Sequence, residues 1–106
     1  MLRIDIQIEI ITYLEDNVYI VFSPELDLSG YDTTLEKAHE SFKIVVDEYF
    51  KHTIEKGTLI QDLKKHGWTY KNLKLKRPTK QKLKSKLKHL PKTYNELQQN
   101  YQINFA

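Results

Sequence analysis

Cysteine is absent from this 106-residue chain, which excludes a disulfide framework and a thiolate metal site. Three glycines and three prolines give little punctuation, so regular elements joined by short loops are expected. No stretch reaches the ~18 to 20 apolar residues that a membrane-spanning helix needs. The N-terminus alternates polar and apolar residues where a signal peptide would have an unbroken apolar run, so the chain reads as a soluble cytoplasmic protein. Acidic residues are missing altogether from Lys64 to Asn95.

That last stretch carries twelve Lys or Arg residues. The residues before Lys64 have a net charge of −8 and the rest a net charge of +11. Such a split implies an acidic compact module and a basic segment seeking an anionic partner, nucleic acid or an acidic protein face. The simpler reading is a solvated lysine-rich tail. At this length the chain is a single domain, or a small domain with an appendage. We place the module at residues 1–75 and the basic appendage at 76–106.

Leu2, Ile4, Ile6, Ile8 and Ile10 alternate with polar residues, the period-two pattern of a half-buried strand. Ile10-Ile11 breaks the pattern and predicts a bulge or the strand's end. Glu15-Asp16-Asn17 is a turn signal, and Val18 to Phe22 reads as a second strand, so an antiparallel hairpin is expected. Pro24 stops the pairing, and Leu28 to Tyr31 reads as a short third strand. Thr33 with Glu36 fits a capping box opening a helix over 34–56. Leu35, Ala38, Phe42, Val45 and Tyr49 share its buried stripe, which Val46 and Phe50 widen. Gly57 should end it in a left-handed cap. A second capping box, Thr58 with Gln61, predicts a short helix to Lys65 that buries Leu59, Ile60 and Leu63.

Trp68 to Leu75 reads as one strand, with Trp68, Tyr70 and Asn72 on one face and Thr69, Lys71 and Leu73 on the other. Lys80 to Leu90 is helical in pattern until Pro91 interrupts it. Residues 92–100 suit a last short helix bearing Tyr94, Leu97 and Tyr101, and 102–105 look extended. The order β-β-β-α-α-β defines an α+β fold, a small antiparallel sheet with the long helix on one face.

Phe22-Ser23-Pro24-Glu25-Leu26, then Gly30, then Asp32-Thr33-Thr34-Leu35-Glu36-Lys37-Ala38 follow one another in an order that resembles the HicB-like antitoxin family. The likeness covers residues 1–56. It implies a reduced ribonuclease H-like βββαβ fold and a non-catalytic role, in which the protein binds and masks a small ribonuclease toxin of the HicA type. It also implies homodimers, and a C-terminal DNA-binding element that represses the protein's own operon. Residues 59–68 and the basic segment match no such element cleanly.

Two other functions stay open beside that one. Lysine interleaved with Trp68, Tyr70, Tyr94 and Tyr101 suits nucleic acid, because lysine neutralises phosphate and aromatic rings stack on unpaired bases. The candidate contacts are Lys71, Lys74, Lys76, Arg77, Lys80, Lys82, Lys84, Lys86 and Lys88. Arg77 is the one arginine among the twelve basic residues, so contacts to the backbone are expected rather than base reading. The third function is a degenerate nuclease, with Asp5, Glu25, Asp27 and Asp32 converging on metal ions. Turns and helix starts favour the loop acids anyway. His39, His52, His66 and His89 have no ligand spacing, so no catalytic, metal or cofactor site is expected.

Overall fold

The computed structural model describes the backbone of residues 2–71, 74–88, 90, 91 and 94–105. It describes the side chains of 6–71, 75–79, 82–84, 86–88, 90, 91 and 94–100. Strand β1 (Leu2–Glu15) turns through Asp16 and Asn17, at φ 50° and 65°, into β2 (Val18–Ser23). Two successive left-handed residues match the right-handed twist of the flanking strands, and Asp and Asn tolerate that conformation. Strand β1 is not broken at Ile10-Ile11. Both isoleucines are buried, one on each face of the sheet, so no bulge is needed to hide the second. Strand β3 (Leu28–Asp32) pairs antiparallel with β2.

Helix α1 (Leu35–Lys56) crosses one face of this sheet. Its start lies one residue later than the capping box predicts: Thr34 is the cap, and its Oγ1 accepts from Lys37 N at 3.2 Å. Asp32 Oδ1 instead takes the Thr33 N–H and hydroxyl. Gly57 ends the helix at φ 68°, the left-handed cap the sequence predicts. The buried row is Ala38, Phe42, Val46 and Phe50, while Leu35 is 42 % exposed and Val45 and Tyr49 are half-buried. A strict four-residue row drifts across a helix of 3.6 residues per turn, which moves the buried stripe toward the positions read as its margin.

Helix α2 (Leu59–Lys65) buries Leu59 and Leu63 but leaves Ile60 half-buried, and Thr58 makes no side-chain cap. Trp68 is buried. The single strand read over 68–75 is two short ones, β4 (Thr69–Lys71) and β5 (Lys74–Lys76), paired as a hairpin; Asn72 and Leu73 lie outside the described residues. Helix α3 (Lys80–Leu87) follows, shorter than the pattern to Leu90 suggests.

The largest correction is at the C-terminus. Among the described residues no helix forms there; β6 (Asn95–Phe105) pairs antiparallel with β1 along its whole length, giving a sheet of order β3-β2-β1-β6. Leu97 and Tyr101 are four apart, a spacing that fits both the helical and the strand period. Leu97, Tyr101, Ile103 and Phe105 in fact keep period two, at register positions opposite Ile10, Ile6, Ile4 and Leu2. A segment assigned to the appendage is therefore part of the sheet.

One core joins these elements. Ile6, Ile8, Ile10 and Val21 of the sheet meet Ala38, Phe42, Val46 and Phe50 of α1, with Leu26, Leu59, Leu63 and Trp68 closing it. Gly30 lies under the helix, where a Cβ would run into the backbone of Ser41 and Phe42. The architecture is α+β, an antiparallel sheet with a long helix on one face. Among the described residues no helix is long and apolar enough to cross a membrane.

Candidate functional site

The turn after β2 sets the geometry of the site. Proline at 24 cannot continue the ladder, and Leu26 N donates to Ser23 Oγ at 3.3 Å, closing a tight turn. The turn places Glu25 inside the protein, 1 % exposed. Its Oε1 accepts from Glu9 N at 2.6 Å, at the level where β2 has stopped pairing with β1. Its Oε2 accepts from Arg77 Nε at 2.6 Å. Its carbonyl accepts from Trp68 Nε1 at 2.7 Å. A buried carboxylate without such partners would cost several kcal/mol. Arg77 Nη2 also stands 3.8 Å from Glu9 Oε2. Burial pushes the Glu9 carboxyl above its ordinary value; Glu96, on the neighbouring strand, and Glu25 add to the rise, and Arg77 opposes it.

Arg77 thus ties the start of the basic segment to the acidic module. Pro78 is buried beside Gly67, and Leu83 is the buried anchor of α3. The lysines of this short helix divide by spacing. Lys82 and Lys86, four apart, point back: Lys82 Nζ donates to Gly67 O and Lys86 Nζ to Pro24 O, both at 3.4 Å. Lys84 and Lys88 are exposed, as are Lys71 and Lys76 on the hairpin. The side chains of Lys74 and Lys80 lie outside the described residues. Of the nine candidate nucleic-acid contacts, three are therefore engaged within the chain, Lys82 while still exposed, and four others face solvent.

Lys86 also meets His66 Nδ1 at 3.4 Å, and His66 Nε2 lies 3.5 Å from Asp62 Oδ2. Asp62 Oδ2 accepts from the Tyr49 hydroxyl. A polar chain, Tyr49-Asp62-His66-Lys86, thus links α1, α2 and α3. Burial, then the hydrogen bond and the charge of Asp62, hold the Tyr49 phenol above its ordinary value.

The carboxylates proposed for metal do not come together. Glu25 is committed to Arg77, Asp27 is an exposed turn residue at φ 56°, and Asp32 holds Thr33. The side chain of Asp5 and all of His89 lie outside the described residues. Among the described residues no three His, Asp or Glu gather into a metal-binding group.

Sequence reasoning missed the second face of the sheet. Tyr13, Ile20, Phe22, Ser29 and Tyr31 lie on the side opposite α1 and, with Lys86, line an open groove of about 530 Å³. Tyr31 is 69 % exposed. The signal was present: residues 18, 20 and 22 are apolar at period two, on the face away from Tyr19 and Val21. No protein-family model, no curated protein and no solved structure matches the chain.

Proposed function

We propose that this chain is a HicB-like antitoxin or a solitary relative, a non-catalytic cytoplasmic module that binds and masks a small ribonuclease toxin. Its β1-β2-β3-α1 core would be a reduced ribonuclease H-like fold of that family. The observation that carries this reading is the open face of the sheet. An aromatic and aliphatic groove at Tyr13, Ile20, Phe22 and Tyr31 lies beside the segments that resemble the family, and concave, mostly apolar surfaces with a few polar groups are favoured binding sites. The residues of the resemblance have structural work that fits such a scaffold. Glu25 pins the turn, Gly30 admits α1, and Thr34 starts it.

The test is titration calorimetry of this protein with a small ribonuclease of the HicA type. A complex is expected, with loss of that partner's ribonuclease activity, and Tyr31→Asp should weaken binding at least tenfold while leaving the unfolding midpoint in place. No complex, or undiminished ribonuclease activity, overturns the proposal.

A second reading, binding to the backbone of nucleic acid, is favoured by the exposure of Lys71, Lys76, Lys84 and Lys88. Four outward lysines can neutralise phosphates without disturbing the contacts of Arg77, Lys82 and Lys86.

A further inference from the structure

Strand β6 has the features of a pairing edge and few of the features that protect one. It is eleven residues long and ends the sheet, held on one side by β1. Every residue from Tyr94 to Asn100 is exposed, so this part of β6 has neither face buried. Leu97, 51 % exposed, sits at the register position of the fully buried Ile10. A strand attached along one ladder, with both faces in water, gains little from side-chain burial. Natural edge strands are blunted by lysine, proline, bulges or short length. Here β6 contains no Lys, Arg, Pro or Gly, and Glu96 is its one charge, although the thirty residues before it are crowded with lysine.

We infer that β6 pairs with the β6 of a second copy of this chain, joining two sheets into one of eight strands. This inference does not rest on the antitoxin reading. An antiparallel pair about a two-fold axis at Asn100 uses the full strand, setting Asn95 opposite Phe105 of the second copy. In that register Glu96 meets Asn104 and not another Glu96, so no like charges face each other. Leu97 meets Ile103, which continues the apolar row of the sheet across the junction. The other free edge, β3, is less suited: it is five residues long, contains Gly30 and ends in Asp32. The two-fold contact consumes both β6 edges and leaves only the β3 edges outside, so the assembly closes as a dimer and does not propagate.

Sedimentation equilibrium over a concentration series tests the pairing. The unsubstituted chain should show twice the 12.7 kDa chain mass at high concentration and dissociate on dilution. A chain carrying Gln98→Lys and Asn100→Lys places like charges across the axis, and its dissociation constant should rise at least tenfold. The same should hold for Gln98→Glu with Asn100→Glu. Mixing the two variants should restore a heterodimer. Ser29→Lys on β3 should leave the mass unchanged. A monomer at every concentration, charge variants that stay dimeric while folded by circular dichroism, or dissociation caused by Ser29→Lys would each overturn the inference. If a charged variant fails to fold, a monomeric mass of the unsubstituted chain still overturns the inference, and the single substitution Asn100→Lys, at the axis itself, must weaken the dimer for the inference to stand.

Discussion

Arg77 Nε donates to Glu25 Oε2 at 2.6 Å across 52 residues of chain, and this bond joins the acidic and basic parts of the protein. Glu25 is inside and Arg77 is about a third exposed. Truncating the arginine leaves a buried carboxylate with only the Glu9 N–H, so Arg77→Ala should destabilise the fold by about 3 kcal/mol, the lower end for breaking a buried pair. Urea unfolding measures this. Adding Glu25→Gln to Arg77→Ala should recover part of the loss, because the stranded charge is gone. A loss under about 1 kcal/mol would mean that water replaces the guanidinium freely.

Gly30 and Phe42 fix how closely helix and sheet approach. A methyl group at 30 would meet the helix backbone, which cannot swing aside as a side chain can. Gly30→Ala should therefore cost about 2 to 3 kcal/mol by overpacking. Phe42→Ala should cost about 3 to 5 kcal/mol through the cavity it leaves. A Gly30→Ala protein as stable as the unsubstituted chain in thermal unfolding would show that α1 sits farther from β3.

Tyr49 predicts a dependence on alkaline pH. Its folded-state value is raised above the ordinary 10.0, first by burial and then by Asp62, so the neutral phenol is the form the fold favours. The contribution is complete below pH 10 and is lost as pH rises toward the folded-state value. Tyr49→Phe should cost about 1.5 to 3 kcal/mol at neutral pH, as expected for a hydrogen bond to a charged acceptor. The gap between the two proteins should narrow above pH 10. A constant gap up to the alkaline limit of the unfolding measurement would mean that the fold does not favour the neutral phenol.

The split among the lysines gives a prediction for the nucleic-acid reading. Substituting Lys84 and Lys88 with Gln should lower the salt dependence of binding to mixed-sequence duplex by about 0.9 in log–log slope for each phosphate that is no longer neutralised. Substituting Lys82 and Lys86 should instead lower stability, because those ammonium groups reach Gly67 and Pro24. Fluorescence anisotropy over a salt series reads the slope. Equal slopes for both double variants would contradict the division of α3 into inward and outward lysines.

Much of the fold was legible in local pattern. The alternation along β1, the turn at Asp16-Asn17, the stop at Pro24 and the cap at Gly57 are short-range events whose physics is complete within a few residues. Helix α1 was readable for the same reason, and the error at Leu35, Val45 and Tyr49 concerns only which part of its stripe meets the sheet. The C-terminal strand was not readable with the same security. A spacing of four serves both helix and strand, and what selects the strand is the free edge of β1, more than eighty residues earlier in the chain.

The sequence by itself determined the charge division, the α+β class and the boundaries of the central elements, because these follow from composition and local periodicity. Only the tertiary structure decided what the charges do. Arg77, Lys82 and Lys86 fold back onto the turn at 24–25 and onto Gly67, while Lys71, Lys76, Lys84 and Lys88 stay outside. A run of positive charge carries no information about direction. Direction is set by where a buried carboxylate and free carbonyls wait for it, and those positions exist only once the chain has folded.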